Sequence, residues 1–203
     1  GASVGNYALF AGGYGSGGNE DTVDAYNTDL VRSTPTALSV ARHYLAGASV
    51  GNYALFAGGR DGSSSYSNTV DAYNASLVRS TPTALSVARD ELVGASVGDY
   101  ALFAGGRDGS ISHKNTVDAY NASLVRSTPT ALSVARRELA GASVGDYALF
   151  AGGYSGSFSN TVDAYNASLV RSTPTALSVG RYNLAGASVG NYALFAGGYG
   201  SGG

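Results

Sequence analysis

Gly47-Ala-Ser-Val-Gly-Asn-Tyr-Ala-Leu-Phe-Ala-Gly-Gly59 decides the fold, because the chain contains this stretch five times. The other copies begin at Gly1, Gly94, Gly141 and Gly186, and their one difference is Asp for Asn at Asp99 and Asp146. The spacings are 46, 47, 47 and 45 residues. A period of this length, with Gly-Gly closing an apolar run, belongs to stacked-repeat arrays. One such unit is too small to bury its own apolar face, so the 203 residues are expected to form a single domain. Its units are 1–46, 47–93, 94–140, 141–185 and a partial 186–203, and the last equals Gly1–Gly18 letter for letter.

Within the second unit, Leu45–Val50 and Tyr53–Ala57 read as two strands joined by the turn Gly51-Asn52. Thr69–Tyr73 is a third strand. Asn74-Ala-Ser76 has the chemistry of an Asx turn. A fourth strand is expected through Thr83–Val87, with Pro82 at its start. A helix over Pro82–Arg89 is set aside, because Thr, Ser and Val interrupt it. Tyr53, Leu55 and Ala57 point one way while Ala54 and Phe56 point the other, so both faces of each sheet need burial. Packing each sheet between two neighbours meets that need. The expected fold is therefore all-β: a β-propeller of four-stranded antiparallel blades, with four complete repeats plus a two-strand half blade.

Arg42, a strand of small residues, Phe56-Ala-Gly-Gly59 and Asp71-Ala-Tyr73 together resemble the motif of kelch-repeat propellers. They are most similar to kelch-like repeats of bacterial and phage proteins. The chain has no Trp; where kelch repeats carry one, it has Val78, Arg79 and Ser80. The resemblance implies that the position two after the repeat Arg faces a ligand, which places Tyr44, Glu91, Glu138 and Asn183 on a rim.

Antiparallel connectivity puts the strand 1–2 and 3–4 turns on one face, and the strand 2–3 and unit-to-unit loops on the other. The first face hardly changes between copies; the second carries the length differences and most substitutions. Its strand 2–3 loops begin with Tyr14, Arg60-Asp61, Arg107-Asp108, Tyr154 and Tyr199, and continue through Tyr66, His113 and Phe158. Its unit-to-unit loops hold His43-Tyr44, Asp90-Glu91, Arg137-Glu138 and Tyr182-Asn183. Aromatic and Arg residues are common contact anchors. The candidate ligand set is Tyr14, His43, Tyr44, Arg60, Asp61, Tyr66, Glu91, Arg107, Asp108, His113, Arg137, Glu138, Tyr154, Phe158, Tyr182 and Asn183. The expected role is a non-catalytic module binding a peptide, another protein or a carbohydrate. Repeated identical pockets would favour a glycan, and one asymmetric patch a peptide. A scaffold without a ligand is the alternative, and a glycosidase or oxidase the second alternative.

The repeated Asp24, Asp71, Asp118 and Asp163, and the repeated Arg42, Arg89, Arg136 and Arg181, suggest a structural bridge between strands or units. Gly13–Gly18 fits G-x-G-x-x-G, yet a strand-like segment follows it, so a dinucleotide cradle is not expected. With two His and no Cys, neither a metal site nor a cofactor is expected. A formal charge of −2 gives no reason to expect nucleic acid or an anionic membrane as partner. Charged residues are only 13%, a composition shared by many secreted or surface-displayed β proteins. Without Met, the chain reads as a processed or excised product. Five copies of strands 1–2 meet four of strands 3–4, so self-association through the terminal units is expected.

Overall fold

A computed structural model describes residues 1–63, 65–110 and 112–200; the last three positions of the partial unit lie outside it. Among the described residues there are strands and turns and no helix. Each complete unit is a four-stranded antiparallel sheet, its strands adjacent in chain order. In the second unit these are Ala46–Val50, Tyr53–Ala57, Val70–Asn74 and Arg79–Ser80. Pairing Ala48 with Leu55 and Leu55 with Ala72 sets the register that separates the two faces. The turn at Gly51 has φ +50°, a left-handed conformation that a residue without Cβ takes cheaply. The partial unit supplies one hairpin, Ala185–Val189 with Tyr192–Ala196.

The fourth strand is not where the sequence suggested. Arg79–Ser80 pairs with Ala72–Tyr73, and Thr83–Val87 forms no strand. Pro82 brings no amide donor to a ladder. The following segment instead divides its hydrogen bonds between its own unit, where the Leu85 amide donates to the Asn68 carbonyl at 2.8 Å, and the next unit. The Tyr120 hydroxyl donates to the Thr83 carbonyl at 2.8 Å, and the Ser86 amide donates to Asp118 at 3.1 Å. Leu85 from the same segment is buried in the core.

The core lies between consecutive sheets. One face of the second sheet, with Leu55, Ala57, Val70 and Ala72, packs with Leu85 against Ala101, Phe103 and Tyr120 of the third. The first sheet meets the second, and the third meets the fourth, through equivalent residues. Both faces of a middle sheet are thus consumed, as the lack of alternation required. Along the edge formed by the first strands, Ser96 Oγ donates to the Ser49 carbonyl at 2.6 Å and accepts from the Ser49 amide at 3.2 Å. The same exchange joins Ser3 to Ser49, Ser96 to Ser143 and Ser143 to Ser188. Glycines set the closeness of these strands. A Cβ on Gly141 would sit 2.6 Å from the Gly94 carbonyl oxygen.

Candidate functional site

The repeated Arg and Asp form bridges between units. Arg42 meets Asp71, Arg89 meets Asp118 and Arg136 meets Asp163, each at 2.8 Å and with both side chains fully buried. Each Arg also donates to the Phe carbonyl of the next sheet, from 2.9 to 3.1 Å. A second guanidinium from the fourth strand brackets the carboxylate: Arg126 lies 2.8 Å from Asp118, and Arg171 3.1 Å from Asp163. Burial lowers Arg89 and Arg136 from the ordinary guanidinium value, and the facing carboxylates oppose it. Tyr73, Tyr120 and Tyr165, beside these pairs, are held above the usual phenol range by burial and then by the adjacent Asp. This is a structural lattice between the sheets.

The variable loops gather on one face. Arg42–His43 pairs with Arg60–Asp61, Asp90 bridges to Arg107, Arg137 to Tyr154, and Arg181–Tyr182 pairs with Tyr199–Gly200. Each unit-to-unit loop therefore meets the strand 2–3 loop of the following unit. On the opposite face, Gly51 lies beside Ala122 and Gly98 beside Ala167, so strand 1–2 turns meet strand 3–4 turns. There Asn74 Oδ1 accepts from the amides of Ser76 and Val78, both at 3.0 Å. Asn74-Ala-Ser76 thus forms the Asx turn that its sequence suggested.

Three regions can be distinguished on the loop face. At one end Tyr14, His43 and Tyr44 line a cavity of about 460 Å³ together with Gly13. His43 sits between the two rings, 5.5 Å from Tyr14 and 4.5 Å from Tyr44, with Nδ1 2.7 Å from Asn19 Oδ1. At the other end Tyr154, Phe158, Tyr182 and Tyr199 pack together, with Phe158 and Tyr182 stacked at 5.7 Å. With Arg137 and Glu138 they line about 360 Å³. His113 meets Tyr154 edge-on at 5.7 Å.

Between these ends lies a charged centre. Glu91 is clasped by Arg107 at 2.8 Å and Arg137 at 2.6 Å. Arg107 Nε also reaches Asp90 at 3.1 Å, and Arg137 reaches Glu138 at 3.4 Å while lying over the Tyr154 ring. Tyr44, Glu91, Glu138 and Asn183 all have φ of 54–55°. Their backbones form a belt: Glu91 N donates to Tyr44 O at 3.2 Å, Glu138 N to Glu91 O at 3.1 Å, and Asn183 N to Glu138 O at 3.0 Å. Non-glycine residues held in this region cost of order 1–3 kcal/mol and need surroundings that enforce them. The four residues line one small hollow of about 200 Å³.

Not every candidate reaches outward. Asp61 accepts from Ser63 and Ser65 of its own loop. Asp108 accepts from Ser110 and Ser112 and pairs with Lys114 at 2.5 Å. Arg60 lies over the Tyr66 ring at 5.2 Å. Asp90, Tyr199 and Asn19 join the arrangement although they stand outside the candidate set. Register would have found the first two, since Asp90 is equivalent to His43 and Arg137, and Tyr199 to Tyr14 and Tyr154. Among the described residues, no group of three His, Cys, Asp or Glu side chains is placed to hold a metal ion.

Titration of these carboxylates should split. Burial raises Asp90 and Glu138 above the ordinary carboxylate range, whereas Lys114 and Ser110 hold Asp108 down at about 2. On acidification, Asp90 and Glu138 should take up protons first. For these two the folded chain binds the proton more readily than the unfolded chain, so their contribution to stability rises as pH falls through that window. Asp108 has the opposite sign: its contribution is present above the ordinary value and disappears as pH falls to about 2. Carboxyl-carbon NMR titration checks this order, and a common midpoint for all three would contradict it.

No protein-family model and no curated protein matches the chain.

Proposed function

We propose that the chain is a kelch-like β-propeller module that binds a peptide, without catalysis, across its loop face. The propeller reading is supported by sheets stacked in chain order through both faces, and by first strands that contact one another along one edge. The arginine-to-carboxylate bridges occur at the positions that resemble the kelch motif. One observation carries the functional reading. On a repeated scaffold, the loop face runs from a His–Tyr cluster through a charged centre to a Tyr–Phe cluster, with different content in every unit. A glycan binder built from repeats would present similar pockets in each unit. An unrepeated row of aromatic anchors and charges suits an extended peptide, whose successive side chains differ.

The test is a displayed-peptide screen followed by calorimetry on the best binder. Tyr182→Ala and Arg137→Ala should each weaken that binder by about tenfold or more, as expected of anchors. Asn52→Ala and Asp99→Ala, on the opposite face, should leave it unchanged. Loss through the Asn52 and Asp99 variants, with the loop-face variants inert, would overturn the assignment. The alternative of a ligand-free scaffold is favoured by one observation: the Arg and Glu side chains at the centre already pair with one another. A screen that returns no binder supports that alternative.

A further inference from the structure

The interface between consecutive sheets is made three times within the chain, and both of its halves are left over. Its one side is a Leu–Val–Ala face followed by a segment that offers an Arg, a Ser amide and a Thr carbonyl. Its other side is a Phe–Tyr face that offers an Asp and a Tyr hydroxyl. At each internal joint Arg meets Asp, Asp accepts the Ser amide, and the Tyr hydroxyl donates to the Thr carbonyl, as for Arg136, Ser133 and Thr130 with Asp163 and Tyr165.

The first sheet presents the second side uncovered. Phe10 is 57% exposed, whereas its equivalents Phe56, Phe103 and Phe150 are at most 1% exposed. With Ala8, Asp24, Tyr26 and Leu30 it lines an open apolar hollow of about 550 Å³. Asp24 pairs with Arg32 of its own sheet, at 3.2 Å and largely in solvent. The fourth sheet presents the first side half-used. Arg181 donates to the Phe195 carbonyl at 2.9 Å, but among the described residues it has no carboxylate partner of the kind that Arg42, Arg89 and Arg136 have. Among the described residues the hairpin Ala185–Ala196 is followed by no third strand of its sheet, and no equivalent of Asp163 or Tyr165 stands opposite Arg181, Ser178 and Thr175. The outer face of that hairpin is open as well, with Val189 60% exposed.

We propose that copies of this chain join head to tail, the first sheet of one copy replacing the terminal hairpin on the fourth sheet of another. The occupant follows from continuity with the internal interface. Gly1–Gly18 and Gly186–Gly203 are identical in sequence, so the incoming hairpin repeats the contacts that the displaced one made. The incoming third strand adds what the displaced hairpin lacks: Asp24 for Arg181 and the Ser178 amide, and Tyr26 for the Thr175 carbonyl. The chain's own first sheet does not take this place, since its Phe–Tyr face is open. A contact of this heterologous kind continues until it closes into a ring or extends into a filament.

Light scattering and sedimentation velocity on the whole chain at two concentrations test the proposal. The wild-type chain should show the mass of two or more copies, rising with concentration. Asp24→Ala and Arg181→Ala should each weaken association by about tenfold or more, because each leaves a buried charge alone at the joint. An equimolar mixture of the two variants should recover a two-copy complex, since one copy still offers Arg181 and the other still offers Asp24. Phe10→Arg, at an exposed position with little bearing on the folding of a single chain, should abolish association. A single-copy mass for the wild type at both concentrations would overturn the proposal. So would a mixture that behaves like its separate components. A single-copy wild type whose melting temperature falls with Asp24→Ala would place the joint within one chain, and equally overturn it. Peptide binding to the loop face is a separate readout, and neither result depends on the other.

Discussion

Arg89→Ala should lower the free energy of unfolding by about 3–5 kcal/mol, the range for removing one partner of a fully buried ion pair. Arg89 and Asp118 are 2.8 Å apart and both wholly buried. Truncation also removes the donor to the Phe103 carbonyl, 3.0 Å away. Asp118 would keep Arg126 on its solvent side, but no cation would remain between the sheets. Urea unfolding followed by tyrosine fluorescence measures the loss. Arg60→Ala, which removes a cation over the half-buried Tyr66 ring, should cost about 1 kcal/mol. Replacing both members of the buried pair by apolar residues of similar volume should cost less than Arg89→Ala alone, because no bare charge is left inside. Equal midpoints for Arg89→Ala and Arg60→Ala would refute the structural role.

Gly94→Ala should be damaging for a different reason. The new methyl would run into the Gly47 carbonyl and lie 3.1 Å from the Ala48 side chain. Backbone cannot rotate out of the way as a side chain can, so the first strands of the second and third sheets must part. Overpacking of this kind costs about 1–3 kcal/mol. Separation would also strain the Ser49–Ser96 exchange on the same strands. Gly17→Ala, where an added methyl meets nothing within 4 Å, should change stability by less than about 0.5 kcal/mol. Thermal unfolding of the two variants gives the comparison, and similar melting points would show that the strands tolerate the added bulk.

The parts of this fold legible in the sequence are those that the repeat states several times. The strand pairs at Ala46–Ala57, the two-faced burial of Leu55 and Phe56, and the bridge from Arg to Asp each follow from residues that recur in every complete unit. The fourth strand was not legible. Thr83–Val87 has strand-forming residues, but its hydrogen bonds go to the Asn68 carbonyl of its own unit and to Asp118 and Tyr120 of another, which no local pattern reveals. Antiparallel connectivity put the unequal loops on one face, and they gather there. They could not show that Asp61 and Asp108 turn back onto their own serines. Nor did they show that Glu91 would be clasped by two arginines from different loops, because that depends on how neighbouring units stack.

The serine exchange along the first strands also bears on how the molecule comes apart. Each Ser side chain ties one sheet to its neighbour and to nothing farther away, so opening one joint leaves the remaining joints intact. Such a chain behaves as a zipper whose outermost teeth release first. Amide protons of Tyr100–Ala104, with a sheet on either side, should exchange most slowly with deuterium, and those of Tyr192–Ala196 most rapidly among the corresponding strands. The protection profile along the chain would then be a staircase, and the height of each step would measure the coupling between one pair of neighbouring sheets.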